Sequence, residues 1–174
     1  APLDLRMNPN EGKSAADFLA GLTANKLAEI LRENSDEQRS VVIAKALIAK
    51  KPKTTAQMVD VLRDVMSGFS KKVQLEEGDT PIRKAFQALR IAVNDEFNVL
   101  DHFLRDIPSI LNPCGRVAIL SFHSGEDRRV KKSFQFYNRN GVYSQVAADF
   151  VRPSPEEQRS NSRSTSAKLR WAIM

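Results

Sequence analysis

Apolar residues recur every three to four positions through the first part of the chain, and the period changes only after residue 112. Ser14 precedes Ala15, Ala16, Phe18 and Leu19, and Thr23 precedes Leu27, Ile30 and Leu31. Each hydroxyl is therefore placed to cap a short amphipathic helix, with Gly21 as the stop between them. A third segment starts at Ser35-Asp36-Glu37, carries Val41, Val42, Ile43, Ala46, Leu47 and Ile48, and stops at Pro52. A fourth, capped by Thr54 or Thr55, sets Met58, Val59, Leu62 and Met66 on one face. Four such helices in a row describe a small helical module rather than layers on a sheet. Residues 67–80, with Gly68, Lys71-Lys72 and Glu76-Glu77-Gly78-Asp79, lose the pattern and are predicted as an exposed loop. Pro81 suits a first helical turn. Ile82, Phe86, Leu89, Val93, Phe97, Leu100, Leu104 and Ile107 then keep one stripe, which predicts a single long helix ending near Pro108 or Pro113.

After Asn112-Pro113-Cys114-Gly115 the run Arg116-Val117-Ala118-Ile119-Leu120-Ser121-Phe122 has strand length and β-branched content, and predicts a strand buried on both faces. A helix follows from His123-Ser124-Gly125-Glu126-Asp127, with Ser124 as its cap, the two acids in its first turn, and Val130 and Phe134 facing inward. Further strands are predicted at residues 142–146 and 167–173, separated by a Pro-Ser-Pro turn and a short acidic helix. The fold class is α/β and mostly helical: helices first, then a pattern that resembles the closing part of an open α/β sheet.

Composition narrows the function classes. The chain has 174 residues, 41% of them hydrophobic and 28% charged, which describes an ordinary folded chain with a core of its own. One cysteine, Cys114, and two histidines, His102 and His123, exclude a disulfide framework and argue against a dedicated zinc site. No apolar run approaches the roughly 18 residues of a membrane span, and the first residues carry no signal-peptide pattern. A reducing compartment, cytoplasm or organelle matrix, is the expectation. Of 27 basic and 21 acidic side chains, residues 1–80 hold 12 of each and residues 81–174 hold 15 and 9, so the net +6 falls in the second part. That asymmetry suits a polyanion, and it equally suits a solvated basic surface.

Five stretches, in order, resemble the ribosomal RNA small subunit methyltransferase H family. They are Pro2-Leu3-Asp4-Leu5-Arg6-Met7; Lys84 through Arg90-Ile91-Ala92-Val93-Asn94-Asp95-Glu96; residues 111–128 with Ser121-Phe122-His123-Ser124-Gly125-Glu126-Asp127-Arg128; Arg152-Pro153-Ser154-Pro155-Glu156-Glu157; and residues 161–170 ending Ser166-Ala167-Lys168-Leu169-Arg170. The chain departs from the family pattern at Asn8, Gly125, Ser162 and Thr165, where the pattern has Asp, Leu, Pro and Arg.

The resemblance implies an S-adenosylmethionine (SAM)-dependent methylation of the exocyclic N4 of a cytosine in small-subunit (16S-type) rRNA, with that rRNA or the ribosomal subunit as partner. It implies a Rossmann-like methyltransferase sheet with an inserted helical substrate domain. Residues 1–7 are expected to be a remnant of the methyltransferase domain, 8–106 the helical substrate-recognition domain, and 107–174 the last part of the sheet domain. In the family a segment holding the donor precedes Pro2-Leu3-Asp4, so this chain is expected to be an incomplete, inactive part with no SAM site of its own. In keeping with that, its seven glycines include no G-x-G pair after a strand.

Candidate catalytic residues are His123, Ser124 and Asp4. His123 follows a strand at its carboxyl end, where open α/β sheets place ligands, and the competing reading is a histidine packed at a helix start. Ser124 is divided between a cap and a substrate hydrogen bond. Asp4 and Arg6 flank Leu5, either facing a pocket or forming a plain ion pair. Arg6, Arg90, Asn94 and Arg128 are the candidate substrate-binding residues, Arg90 and Asn94 lying one helical turn apart. The strand at 116–122 is expected to expose an edge, pair with a second copy in a homodimer, or be covered by rearrangement. Two other classes remain open: a non-catalytic RNA-binding or assembly module, and a helical protein-interaction domain.

Overall fold

A side-chain cap stands before most of the helices in the N-terminal half, and these caps set where the chain turns. The computed structural model describes residues 1–174. The chain divides into two compact units, Ala1–Glu96 and Phe97–Met174.

The first unit holds α1 (Ala15–Ala20), α2 (Ala24–Ser35), α3 (Ser40–Lys50), α4 (Thr55–Ser67), α5 (Lys71–Glu77) and α6 (Thr80–Val93). Ser14 accepts from the Asp17 N–H and Thr23 from the Lys26 N–H, as predicted. Thr54 and Gln57 form a reciprocal capping box that satisfies two free N–H groups at the start of α4. Asp36 and Lys51 leave α2 and α3 in the left-handed conformation, at φ 51° and 46°. Leu27, Leu31, Ile43, Leu47, Met58, Leu62 and Leu89 are buried in one cluster, to which Leu3 also belongs. The N-terminal segment is thus part of this helical core. It is tied in by Leu3 N–H to Lys53 O (3.0 Å), Thr55 N–H to Ala1 O (3.0 Å) and Ala16 N–H to Leu3 O (2.9 Å).

Three predictions fail in this half. Ser35 closes α2 instead of starting the next helix, and α3 begins at Ser40 without a side-chain cap. Residues 67–80 are not all loop, because α5 forms behind the cap Ser70. It buries no residue and leaves Leu75 exposed, so apolar periodicity carried no signal for it. What holds it is polar: Glu77 pairs with Arg39, and Gln74 Nε2 donates to Phe69 O at 2.7 Å. The single long helix is also two helices, α6 and α7 (Glu96–Ile110), broken where Asp95 turns left-handed at φ 53°. The stripe keeps its phase across the break and so hides it. Pro108 lies inside α7, which runs on to Ile110.

The second unit holds the rest of α7, β1 (Arg116–Ser121), α8 (Ser124–Arg139), β2 (Gln145–Val146), α9 (Pro155–Ser160), a 3₁₀ turn (Ser162–Ser166) and β3 (Lys168–Ile173). The sheet has the order β1-β3-β2 and is antiparallel throughout, with Arg116 opposite Ile173 and Ser121 opposite Lys168. β1 is an edge strand, and it is not buried on both faces as predicted. Its exposure alternates, Leu120 is 53% exposed, and only every second residue turns inward. Leu104, Ile107, Val130, Phe134, Tyr143 and Ala172 make the core of this unit. Tyr143 packs edge-on against Phe134 and Tyr137, at 5.6 and 5.8 Å, and burial raises its phenol above the ordinary value of 10.0. No helix is long and apolar enough to cross a membrane.

Candidate functional site

In the first unit the structure brings three of the candidate residues, Asp4, Arg6 and Asn94, to one place. Leu5 sits at φ 64°, and this turn folds Arg6 back on Asp4. Arg6 Nε donates to Asp4 Oδ1 at 2.6 Å and Nη2 to Oδ2 at 2.9 Å, a bidentate pair that holds the Asp4 carboxyl below its ordinary range and raises Arg6. Arg6 Nη1 also reaches the carbonyls of Glu11 and Gly12, at 3.4 and 3.3 Å. Its donors are largely occupied, which makes it a staple of the N-terminal turn. Asn94 closes the other side: Nδ2 donates to Leu5 O (2.8 Å) and Oδ1 accepts from the Met7 N–H (2.7 Å). Its helical neighbour Arg90 makes a bidentate pair with Glu96, at 2.8 and 3.0 Å.

In the second unit the site is the turn from β1 into α8. The cap of α8 is His123, not Ser124 as predicted: His123 Nδ1 accepts from the Glu126 N–H at 3.4 Å, while Ser124 is the exposed first helical residue. An imidazole can cap because its unprotonated nitrogen is an acceptor, and sequence rules that favour hydroxyls and amides pass over it. Glu126 answers by accepting the Phe122 N–H at 2.9 Å, and its other oxygen lies 3.5 Å from His123 Nε2. With Nδ1 accepting, the neutral ring carries its hydrogen on Nε2, facing this carboxylate. The ring of Phe97 lies 5.8 Å from that of His123, and Arg129 stacks on Phe97 at 4.1 Å while pairing with Asp101 at 2.7 Å. Gly125 makes this packing feasible, since a Cβ there would stand 2.7 Å from Phe97 Cζ. His123 is thus a sheltered group, 14% exposed, held by Glu126 and roofed by an aromatic ring. Arg128 is exposed on α8.

Sequence reasoning read Asp127 as a charge for the helix N-terminus. It is instead buried against β3, where Arg170 Nε donates to Oδ1 at 2.7 Å and Nη2 to Oδ2 at 3.3 Å, with Lys168 Nζ 3.8 Å away. A signal was present: strand alternation puts Arg170 on the same face as Ala172, and a cation on a core face requires an acid. Sequence reasoning also missed a cavity lined by Arg152, Asn161 and Arg163 on the sheet's other face.

The chain thus holds an all-helical unit and a basic α/β unit with a histidine at a strand's end. The sequence model of the MraW methylase family matches residues 1–174, and the chain belongs to that family. Among its relatives is the ribosomal RNA small subunit methyltransferase H 2 of Alkaliphilus metalliredigens, 49% identical over 99% of this chain and 51% of that protein. Ribosomal RNA small subunit methyltransferase H 1 of Lachnoclostridium phytofermentans is 46% identical over 99% of this chain and 48% of its own length. Ribosomal RNA small subunit methyltransferase H of Crocosphaera subtropica is 38% identical, over 99% and 53%. The chain spans about half the length of these curated relatives.

Proposed function

We propose that the whole protein transfers a methyl group from SAM to the exocyclic N4 of a cytosine in small-subunit rRNA, and that this chain supplies the part that seats the RNA. The family match over residues 1–174 carries the reading. In it, residues 8–106 are the helical substrate-recognition domain and residues 107–174 the closing strands of a Rossmann-like sheet working in the cytoplasm. The donor's site lies on other residues. The turn from β1 to α8 is closed by His123 and Glu126 side chains where a nucleotide cradle needs glycines and open N–H groups. These residues do not fit the adenosyl end of SAM.

A cytosine amine is a poor nucleophile because its lone pair is delocalised into the ring, so the enzyme has to orient it and accept its proton. Asp4, kept ionised by Arg6, serves as a hydrogen-bond acceptor rather than a base. His123 at the strand end, neutral at rest, takes the amine proton, with Glu126 as counter-charge to the imidazolium so formed, and the exposed Ser124 hydroxyl adds a polar contact. Arg90 and Arg128 meet phosphates; Arg6 and Asn94 hold the turn that presents Asp4.

Two measurements test this. Titration of SAM into the 174-residue chain should show no binding, and stoichiometric tight binding overturns the assignment of the donor site. In the full-length protein, His123→Asn keeps a capping side chain. It should lower kcat about a hundredfold or more with a smaller change in KM, read as N4-methylcytidine in digested rRNA. An unchanged kcat would reduce His123 to a cap. Salt-dependent RNA binding by a full-length protein that transfers no methyl group would favour the non-catalytic RNA-binding module instead.

A further inference from the structure

The face of β1 and β3 turned away from α8 is apolar and partly open. Leu120 and Phe122 are 53% and 50% exposed, and with Leu169 they floor a cavity of about 580 Å³. One wall is the segment Val151-Arg152-Pro153, hung on β3 by Val151 N–H to Leu169 O (2.8 Å) and Leu169 N–H to Val151 O (3.0 Å). The other is the 3₁₀ turn. Asn161 Oδ1 accepts from the Arg163 N–H at 3.2 Å, and buried Ser164 donates to Asn161 O at 2.8 Å, which fixes the corner that carries Arg163. Both walls are therefore built, not loose.

The charges at the rim decide what fits. Arg152 stacks on Phe150 at 4.8 Å, and neither Arg152 nor Arg163 makes an ion pair, whereas Arg129 and Arg170 of the same unit do. The acid that lines the cavity is Glu157, and it is exposed. The unit as a whole carries 12 basic against 7 acidic side chains. A ligand complementary to this surface is flat and apolar on one side and anionic on the other, with an N–H donor for a carboxylate.

We propose that this cavity holds one unpaired nucleotide of single-stranded RNA. The base lies on Phe122 and Leu120 with an exocyclic amine toward Glu157, and the flanking phosphates meet Arg152 and Arg163. A duplex does not serve, because its bases present no open face to an aromatic ring. The assignment rests on RNA being the partner of the proposed function. It adds a binding subsite separate from His123 and Asp4.

The test is fluorescence anisotropy of a labelled ten-nucleotide single-stranded RNA with the 174-residue chain, against the same sequence as a duplex. Single strand should bind better than duplex. Arg152→Gln and Arg163→Gln should each reduce the slope of log affinity against log salt by about 0.7, and the exposed Lys13→Gln control should not. Phe122→Ala should weaken binding about fivefold to hundredfold with little change in that slope. Circular dichroism of each variant confirms folding; Phe122→Leu serves if the alanine variant does not fold. If wild type binds single-stranded RNA and all these variants bind alike, the subsite is wrong and the methyltransferase reading stands. If wild type binds no RNA, both the subsite and this chain's role in seating RNA fall, and methyl transfer by the full-length protein then decides the remainder. A dimer that dissociates on Leu120→Lys would place a second copy on this face and overturn the proposal.

Discussion

The two units reach stability by different means. The helical unit is close to neutral, with 15 basic and 14 acidic side chains, and its boundaries are set by contacts within a few residues: Ser14 to Asp17, Thr23 to Lys26, Thr54 to Gln57. The sheet unit is basic, and its decisive contacts join distant residues: Asp127 to Arg170, Val151 to Leu169, Ser121 opposite Lys168. Local contacts make a scaffold that tolerates surface change. Distant polar contacts concentrate the cost of error in a few residues, and the sheet unit is also where the open cavity and the sheltered histidine lie.

The largest expected effect breaks the distant pairing. Arg170→Met leaves the Asp127 carboxylate buried with only Lys168 nearby, and should destabilise the sheet unit by about 3–5 kcal/mol. Urea unfolding followed by Trp171 emission reads this unit, since Trp171 lies in β3. A loss below about 1 kcal/mol would show that the pair behaves as a surface ion pair and would remove the contrast. In the helical unit, Thr54→Ala deletes the capping box and should cost about 1 kcal/mol by far-ultraviolet circular dichroism, with Trp171 little affected. An equal shift in both signals would mean that the units unfold as one.

The smallest effect sharpens the contrast through pH. Burial raises the Tyr143 phenol above 10.0, so the folded state holds its proton longer than the unfolded chain does. Its contribution is complete below pH 10 and declines as pH rises through the folded value. Tyr143→Phe should flatten that alkaline decline and, because the hydroxyl has no hydrogen-bond partner, be near neutral at pH 7. A wild-type stability independent of pH between 9 and 11 would contradict the burial argument.

Much of this was legible in one dimension. Ser14, Thr23 and Thr54 announced three helices, and Lys168–Ile173 and Arg116–Ser121 announced two strands, because caps and alternation act between near neighbours. Part of the geometry was legible too: Asp4, Arg6 and Asn94 meet around Leu5, while the Arg90 side chain turns to Glu96. What stayed hidden had no periodic signature. The break at Asp95 preserves the apolar phase, α5 buries nothing, and His123 caps where a hydroxyl was expected.

The order of amino acids was enough to set the α/β class, the helical first part, the skewed charge and membership of a methylase family, since each rests on pattern or on likeness of residues in line. Folding in three dimensions alone assigned Arg170 to Asp127, set Phe97 over His123 across Gly125, and left Arg152 and Arg163 unpaired beside an open apolar floor. Partners remote in the chain meet through burial and the desolvation of charge, and neither quantity exists until the sheet and its helices pack.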